Sequence, residues 1–278
     1  MIKFSTKTIK IALVGFLFAV IPAAPALAYA PSVQPLSSKP MFFIREHSGT
    51  SSSSAALTDS SSENWSGYAA TGNNGTFTSV TSSWVQPTLS CTTSTTYSAY
   101  WVGLDGYSDQ TVEQIGTEAN CSSGTAQYYT WYEMYPQNPS EMITNLAVAA
   151  GNNMTASVTY NQPVTVVSRG RYRTVSNGSF TLTLNDVTTG RSYSTTQTAN
   201  RSVNRASAEV ITEAPYSNGI LPLANFGTAN YTASEVDGAP LSKAPGLQAV
   251  TMNDPYGMVA TPSSLDSTGE DFSVTWSS

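Results

Sequence analysis

A chain of 278 residues with 12 basic and 18 acidic side chains, formal net charge −6, has no surplus of cations to offer a phosphate backbone. Nucleic acid is therefore not an expected partner. One histidine and two cysteines argue against zinc and against histidine-dependent hydrolysis, so neither metal nor other cofactor is expected.

Lys3, Lys7 and Lys10 come first, then an apolar run from Ile11 to Ile21, then Ala26-Leu27-Ala28. This order reads as a secretory signal peptide over residues 1–28. The run is shorter than the roughly 20 residues needed to cross a bilayer. The expected product is secreted and extracellular, with no membrane partner. Losing the signal removes three lysines and no acid, which leaves nine bases against eighteen acids. The polar surface is then mostly Ser, Thr, Asn, Gln and Tyr, which loses little when carboxylates protonate and suits an acidic medium.

Residues 29–63 hold prolines, the run Ser48-Gly49-Thr50-Ser51-Ser52-Ser53-Ser54 and a second cluster, Ser60 to Ser62. Such composition predicts a propeptide or flexible leader. It contains His47, so a body that loses the leader has no histidine. Residues 64–278 are the length of one large all-β domain.

Within that body no helical apolar period is sustained. Short segments rich in Thr, Val, Tyr and Trp recur instead, at Phe77–Val85, Tyr97–Val102, Tyr128–Met134, Met154–Tyr160, Phe180–Leu184 and Phe272–Trp276. Asn73-Asn74-Gly75, Asn177-Gly178 and Asp237-Gly238 supply turns between strands. The pattern predicts an antiparallel β-sandwich or jelly roll, here a monomer. Cys91 and Cys121 lie in the exported part, where a disulfide persists.

Strand alternation assigns faces. Trp131, Glu133 and Tyr135 share one side and Tyr132 and Met134 the other. Glu209 points away from Ala208 and Val210. Val112 and Gln114 share a side, with Glu113 and Ile115 opposite. Trp, Glu and Tyr together make a poor core but a plausible cleft wall.

Three segments carry a resemblance: Tyr100-Trp101-Val102-Gly103-Leu104-Asp105-Gly106 leading into Glu113-Gln114-Ile115-Gly116, then Thr130-Trp131-Tyr132-Glu133-Met134-Tyr135-Pro136, then Ala208-Glu209-Val210-Ile211-Thr212-Glu213. In this order, from about Asn64-Trp65-Ser66-Gly67 to the C-terminal strand, the chain resembles the glutamic peptidases, or eqolisins. The resemblance implies a lectin-like sandwich with a concave working face and a catalytic pair, Gln114 and Glu209. It places Trp101, Asp105, Trp131, Glu133 and Tyr135 in or beside the substrate cleft. Glu118, where the fungal members typically have Asp, and Val210, where they typically have Trp, bear on subsite shape rather than on the pair.

The chemistry is coherent without histidine. A carboxylate can act as general base on water, and a carboxamide can hold that water and donate to the oxyanion of a tetrahedral intermediate. The expected substrates are proteins or peptides, cut without a covalent intermediate. Two other readings stay open on the residues alone. Glu133 and Glu209 could be the carboxylate pair of a glycosidase, or the aromatics could be the sugar platform of a non-catalytic lectin-like module.

Overall fold

The computed structural model describes residues 58–168, 171–174, 178–199 and 203–278. The expected signal peptide, the leader up to residue 57 with His47, and Asn177 of one turn lie outside them.

Eighteen strands make up the described body. They are β1 (Thr58–Ser62), β2 (Trp65–Thr71), β3 (Ser79–Val85), β4 (Thr96–Leu104), β5 (Val112–Ser122), β6 (Thr125–Tyr135), β7 (Asn138–Met142), β8 (Asn153–Asn161) and β9 (Thr165–Ser168). There follow β10 (Arg171–Thr174), β11 (Ser179–Asp186), β12 (Arg191–Thr198), β13 (Ser207–Glu213), β14 (Thr228–Val236), β15 (Ala239–Pro240), β16 (Gln248–Asn253), β17 (Val259–Pro262) and β18 (Phe272–Ser277). A single 3-10 turn, Leu241–Lys243, is the only helical piece among the described residues.

The main path runs β12-β11-β8-β3-β14-β18-β17-β16-β2-β13-β4-β5-β6-β7, antiparallel throughout. It folds back so that β3, β8 and β11 pack on β4, β5 and β13. The expected all-β sandwich is borne out. One pair departs from it: β1 runs parallel to β16, Thr58 beside Gln248 through Ser62 beside Met252. Five residues of the expected leader are therefore part of the sheet.

The two layers differ in a way that decides where chemistry can sit. In β11 the burial alternates residue by residue, with Phe180, Leu182 and Leu184 inward and Thr181 and Thr183 outward. The outward hydroxyls meet across strands, Thr181 with Thr196 and Thr183 with Ser194. That layer is an ordinary half-wet sheet. In β2, β4, β5 and β13 almost every residue is buried, so this second layer has two dry faces.

Its inner face carries Tyr68, Tyr100, Val102, Leu104, Ile115, Tyr132, Met134 and Val210 into the core, against Trp84, Val158 and Leu182 of the other layer. Trp84 Nε1 donates to Thr117 Oγ1 across the layers at 3.1 Å, which satisfies a buried donor. The Cys91–Cys121 disulfide ties the segment before β4 to β5 as expected. The outer face holds a separate cluster of Trp65, Ala69, Ala99, Trp101, Tyr107, Trp131, Ile211 and Val250.

Candidate active site

On this outer face the register sets one cross-strand row: Gln248, Ala69, Glu209, Gly103, Gln114 and Glu133 on β16, β2, β13, β4, β5 and β6. Glu209 and Gln114 thus flank Gly103. A Cβ on Gly103 would lie 2.9 Å from Trp101 Cζ3 and 3.2 Å from Gln114 Cβ, so only glycine fits. The neighbouring row is Gly67, Ile211, Trp101, Gly116 and Trp131. At Gly116 a Cβ would stand 2.1 Å from Tyr100 O and 2.6 Å from Trp101 Cβ. The missing side chain there lets the indoles of Trp101 and Trp131 lie on either side.

Gln114 Nε2 donates to Glu133 Oε2 at 2.9 Å. That uses one of its two N–H bonds, and its Oε1, also buried, has no partner among the described residues. Both carboxylate oxygens of Glu209 are likewise buried with no described partner, as are Trp65 Nε1 and Trp131 Nε1. Buried polar atoms without partners are rare in folded proteins, and here they share one face. Burial pushes the Glu209 carboxyl well above its usual range. The Ser207 hydroxyl opposes that shift from short of hydrogen-bond geometry, while Asp105, Asp109 and Glu113 add like charge.

The other sequence candidates fall into two groups. Trp101, Trp131 and Glu133 are wholly buried on this face, and half-buried Tyr135 pairs with Val112 at the strand's end. Asp105 has a different place. It leaves β4 with φ 66°, a left-handed conformation that Asp tolerates. Its Oδ1 accepts from Ala206 N and its Oδ2 from Arg205 N, both at 2.7 Å. Asp105 therefore clamps the chain where it enters β13, three residues before Glu209. Burial, then the charge of Asp109, pushes its carboxyl up to about 6 against those two amides.

Val210 was expected to bear on subsite shape, but it points into the main core beside Val102 and cannot line the cleft. Glu118 is on the outer face, in register with Ala99 and Tyr129, and accepts from Asn120 Nδ2 at 2.6 Å. The sequence reading passed over Glu213. The alternation that turns Glu209 outward turns Glu213 outward as well, and its Oε2 accepts from Trp101 Nε1 at 2.8 Å.

Fold and site together define a β-sandwich protein with a buried carboxyl and a carboxamide on either side of a glycine, walled by tryptophans. The sequence profile described as the peptidase A4 family matches residues 63–276, and the chain belongs to that family. Among solved structures it is similar to scytalido-glutamic peptidase with a transition state analog inhibitor, at 24% identity and TM-score 0.60, over 77% of this chain and 98% of that one. It is also similar to aspergilloglutamic peptidase from Aspergillus niger, at 22% identity and TM-score 0.51, over 66% of this chain and 99% of that one. No curated protein sequence matches the chain. The resemblance to the glutamic peptidases is borne out, and proteins or peptides are the substrates that the family implies.

Proposed function

We propose that this chain is a secreted, acid-active glutamic endopeptidase in which Glu209 and Gln114 activate water for direct attack on the peptide carbonyl. The placement of Glu209 and Gln114 on either side of Gly103 is the observation that carries this reading. Two strand spacings of about 4.8 Å put their backbones roughly 10 Å apart, a gap that side chains leaning inward can narrow to hold one water and one carbonyl. Glu209 takes the water proton as hydroxide adds to the carbonyl carbon. The N–H of Gln114 not used by Glu133 donates to the oxyanion. Glu209 then returns the proton to the leaving amine as the C–N bond breaks, which regenerates the carboxylate.

A base must be ionised to work, and dry burial opposes ionisation of Glu209. Admitting water to the outer face lowers that penalty, so uncovering the face and activating the base are one event. The leader is the proposed zymogen segment, with its removal as that event. Its Lys39 and Arg45 are suited to contacts with ionised carboxylates that acid would weaken.

The glycosidase reading fits the register poorly. Gln114 stands between Glu209 and Glu133 in the register and donates to Glu133, so a carboxamide, not a second carboxylate, is the group next to Glu209 across Gly103.

The test is hydrolysis of denatured casein from pH 2 to 7, with and without pepstatin, by wild type, Glu209→Gln and Gln114→Ala. The expected result is pepstatin-resistant cleavage in acid, loss of activity in Glu209→Gln, and a rate lower by about 10²–10³ in Gln114→Ala. The melting temperature should stay close to wild type in Glu209→Gln and fall somewhat in Gln114→Ala, which takes a donor from buried Glu133. A folded Glu209→Gln protein with wild-type activity would sink the assignment.

A further inference from the structure

We infer that Glu213 is a positioning residue for peptide hydrolysis, acting through the Trp101 indole, whose benzo edge lies against Gly103 on the strand between Glu209 and Gln114. The inference rests on the proposed roles of those two residues. Glu213 closes β13, wholly buried, four residues after Glu209 and on the same face. Its Oε2 accepts from Trp101 Nε1 at 2.8 Å, and its Oε1 from Asn64 Nδ2 at 3.3 Å. At the far end of the same indole, Cζ3 stands 2.9 Å from where a Cβ of Gly103 would be.

Trp101 therefore reaches from Glu213 at its pyrrole edge to the slot over Gly103 at its benzo edge. Trp65 packs edge-on against it, ring centroids 4.9 Å apart and planes at 75°. Packing restrains the ring through its apolar contacts but gives its N–H no partner. A single N–H donor held by a buried carboxyl fixes the orientation of the ring, because indole has no second polar atom to offer. The benzo edge then keeps a fixed place against Gly103, as the floor of the gap that Glu209 and Gln114 flank. Four residues along β13, about 13 Å of strand, separate Glu213 from Glu209, and the described link that spans this distance toward the pair is the ring.

A misplacement of about 1 Å at a reacting group can cost on the order of 10²-fold in rate. In the full-length chain, under the acid conditions in which it cleaves casein, Glu213→Leu should lower kcat by about 10–100-fold with a smaller change in KM. Glu213→Gln retains an acceptor oxygen and should stay within about 3-fold of wild type. Trp101→Phe should lower kcat, and Glu213→Leu added to it should lower kcat no further, because the route through the indole N–H is already gone.

A purely structural Glu213 would lower the melting temperature and leave kcat alone. Wild-type kcat in folded Glu213→Leu overturns the proposal, as do losses that multiply in the double variant. Should Glu213→Leu fail to fold, an unchanged kcat in Trp101→Phe overturns it instead. Glu209→Gln run in parallel separates the two readings. If that variant is active, the assignment of the pair fails on its own ground. If it is inactive while Glu213→Leu is not impaired, only the positioning role fails.

Discussion

Asp105 shows how a single side chain fixes the approach to the site. Its two oxygens hold the amides of Arg205 and Ala206, and Asp109 supports the same turn through Gly106 N, Thr111 N and the Asn204 side chain. Asp105→Ala would leave two partly buried amides without their acceptor, at up to about 1–3 kcal/mol each. The expected result is a lower melting temperature and weaker casein hydrolysis together, since β13 carries Glu209. Asp105→Asn keeps one acceptor and should lie between wild type and Ala on both measures. If Asp105→Ala loses activity at an unchanged melting temperature, the residue acts on substrate and not as a clamp.

At the scale of the strand, period-two alternation assigns the correct faces to Trp131, Glu133, Gln114 and Glu209, because side-chain direction is local. Register is not local. That Glu209, Gly103 and Gln114 align depends on pairing β13 with β4 and β4 with β5, which no short window encodes. The same limit explains Glu213: knowing which residues share a face does not reveal that the indole of Trp101 reaches Glu213. Val210 is different, since alternation already turned it away from Glu209 and only the resemblance tied it to subsite shape. The serines of β1 read as linker because their partners are Ala249 O and Asn64, far along the chain or beyond the strand. The bridge between Cys91 and Cys121, 30 residues apart, acts at this scale too. Replacing both with Ser should cost roughly 3–4 kcal/mol on the chain-entropy account, a fall on the order of 10 °C in melting temperature. Some hydrolysis should survive, because the bridge lies on the inner side of β5, away from Gln114. A variant that melts with wild type would show that the bridge adds nothing.

For the whole molecule, buried acids set how stability varies with pH. Burial is the main cause of the upward shifts of Glu113, Glu209 and Asp105, and each of the three also feels Asp109. An acid whose pKa is higher folded than unfolded binds the extra proton in the native state. Its stabilisation is full below the unfolded pKa, about 4, and is lost as pH rises through the folded value. Asp105 puts part of that loss between about 4 and about 6, and Glu113 and Glu209, also raised by burial, add to it in the same direction. Asp266 works in the opposite sense. Thr268 Oγ1 foremost, with the amides of Asp271, Thr268 and Glu270, holds it below the usual carboxylate range, so its contribution is lost only in strong acid. Thermal melts from pH 3 to 8 should therefore peak near pH 4 and decline toward neutrality, and Glu113→Gln should flatten the decline. A melting temperature that rises from pH 4 to 7 would contradict this account.

The parallel strand β1 bounds how much of the proposed leader the chain could lose without touching the site. Ser62 Oγ receives the amides of Asn64 and Trp65 and donates to Asn64 Oδ1, and Asn64 in turn donates to Glu213. A nick upstream of Thr58 leaves this chain of contacts whole. A nick within β1 would take away partners from β16, and one that removed Ser62 would also loosen Asn64, which donates to Glu213, so an enzyme that trimmed itself too far would weaken its own site.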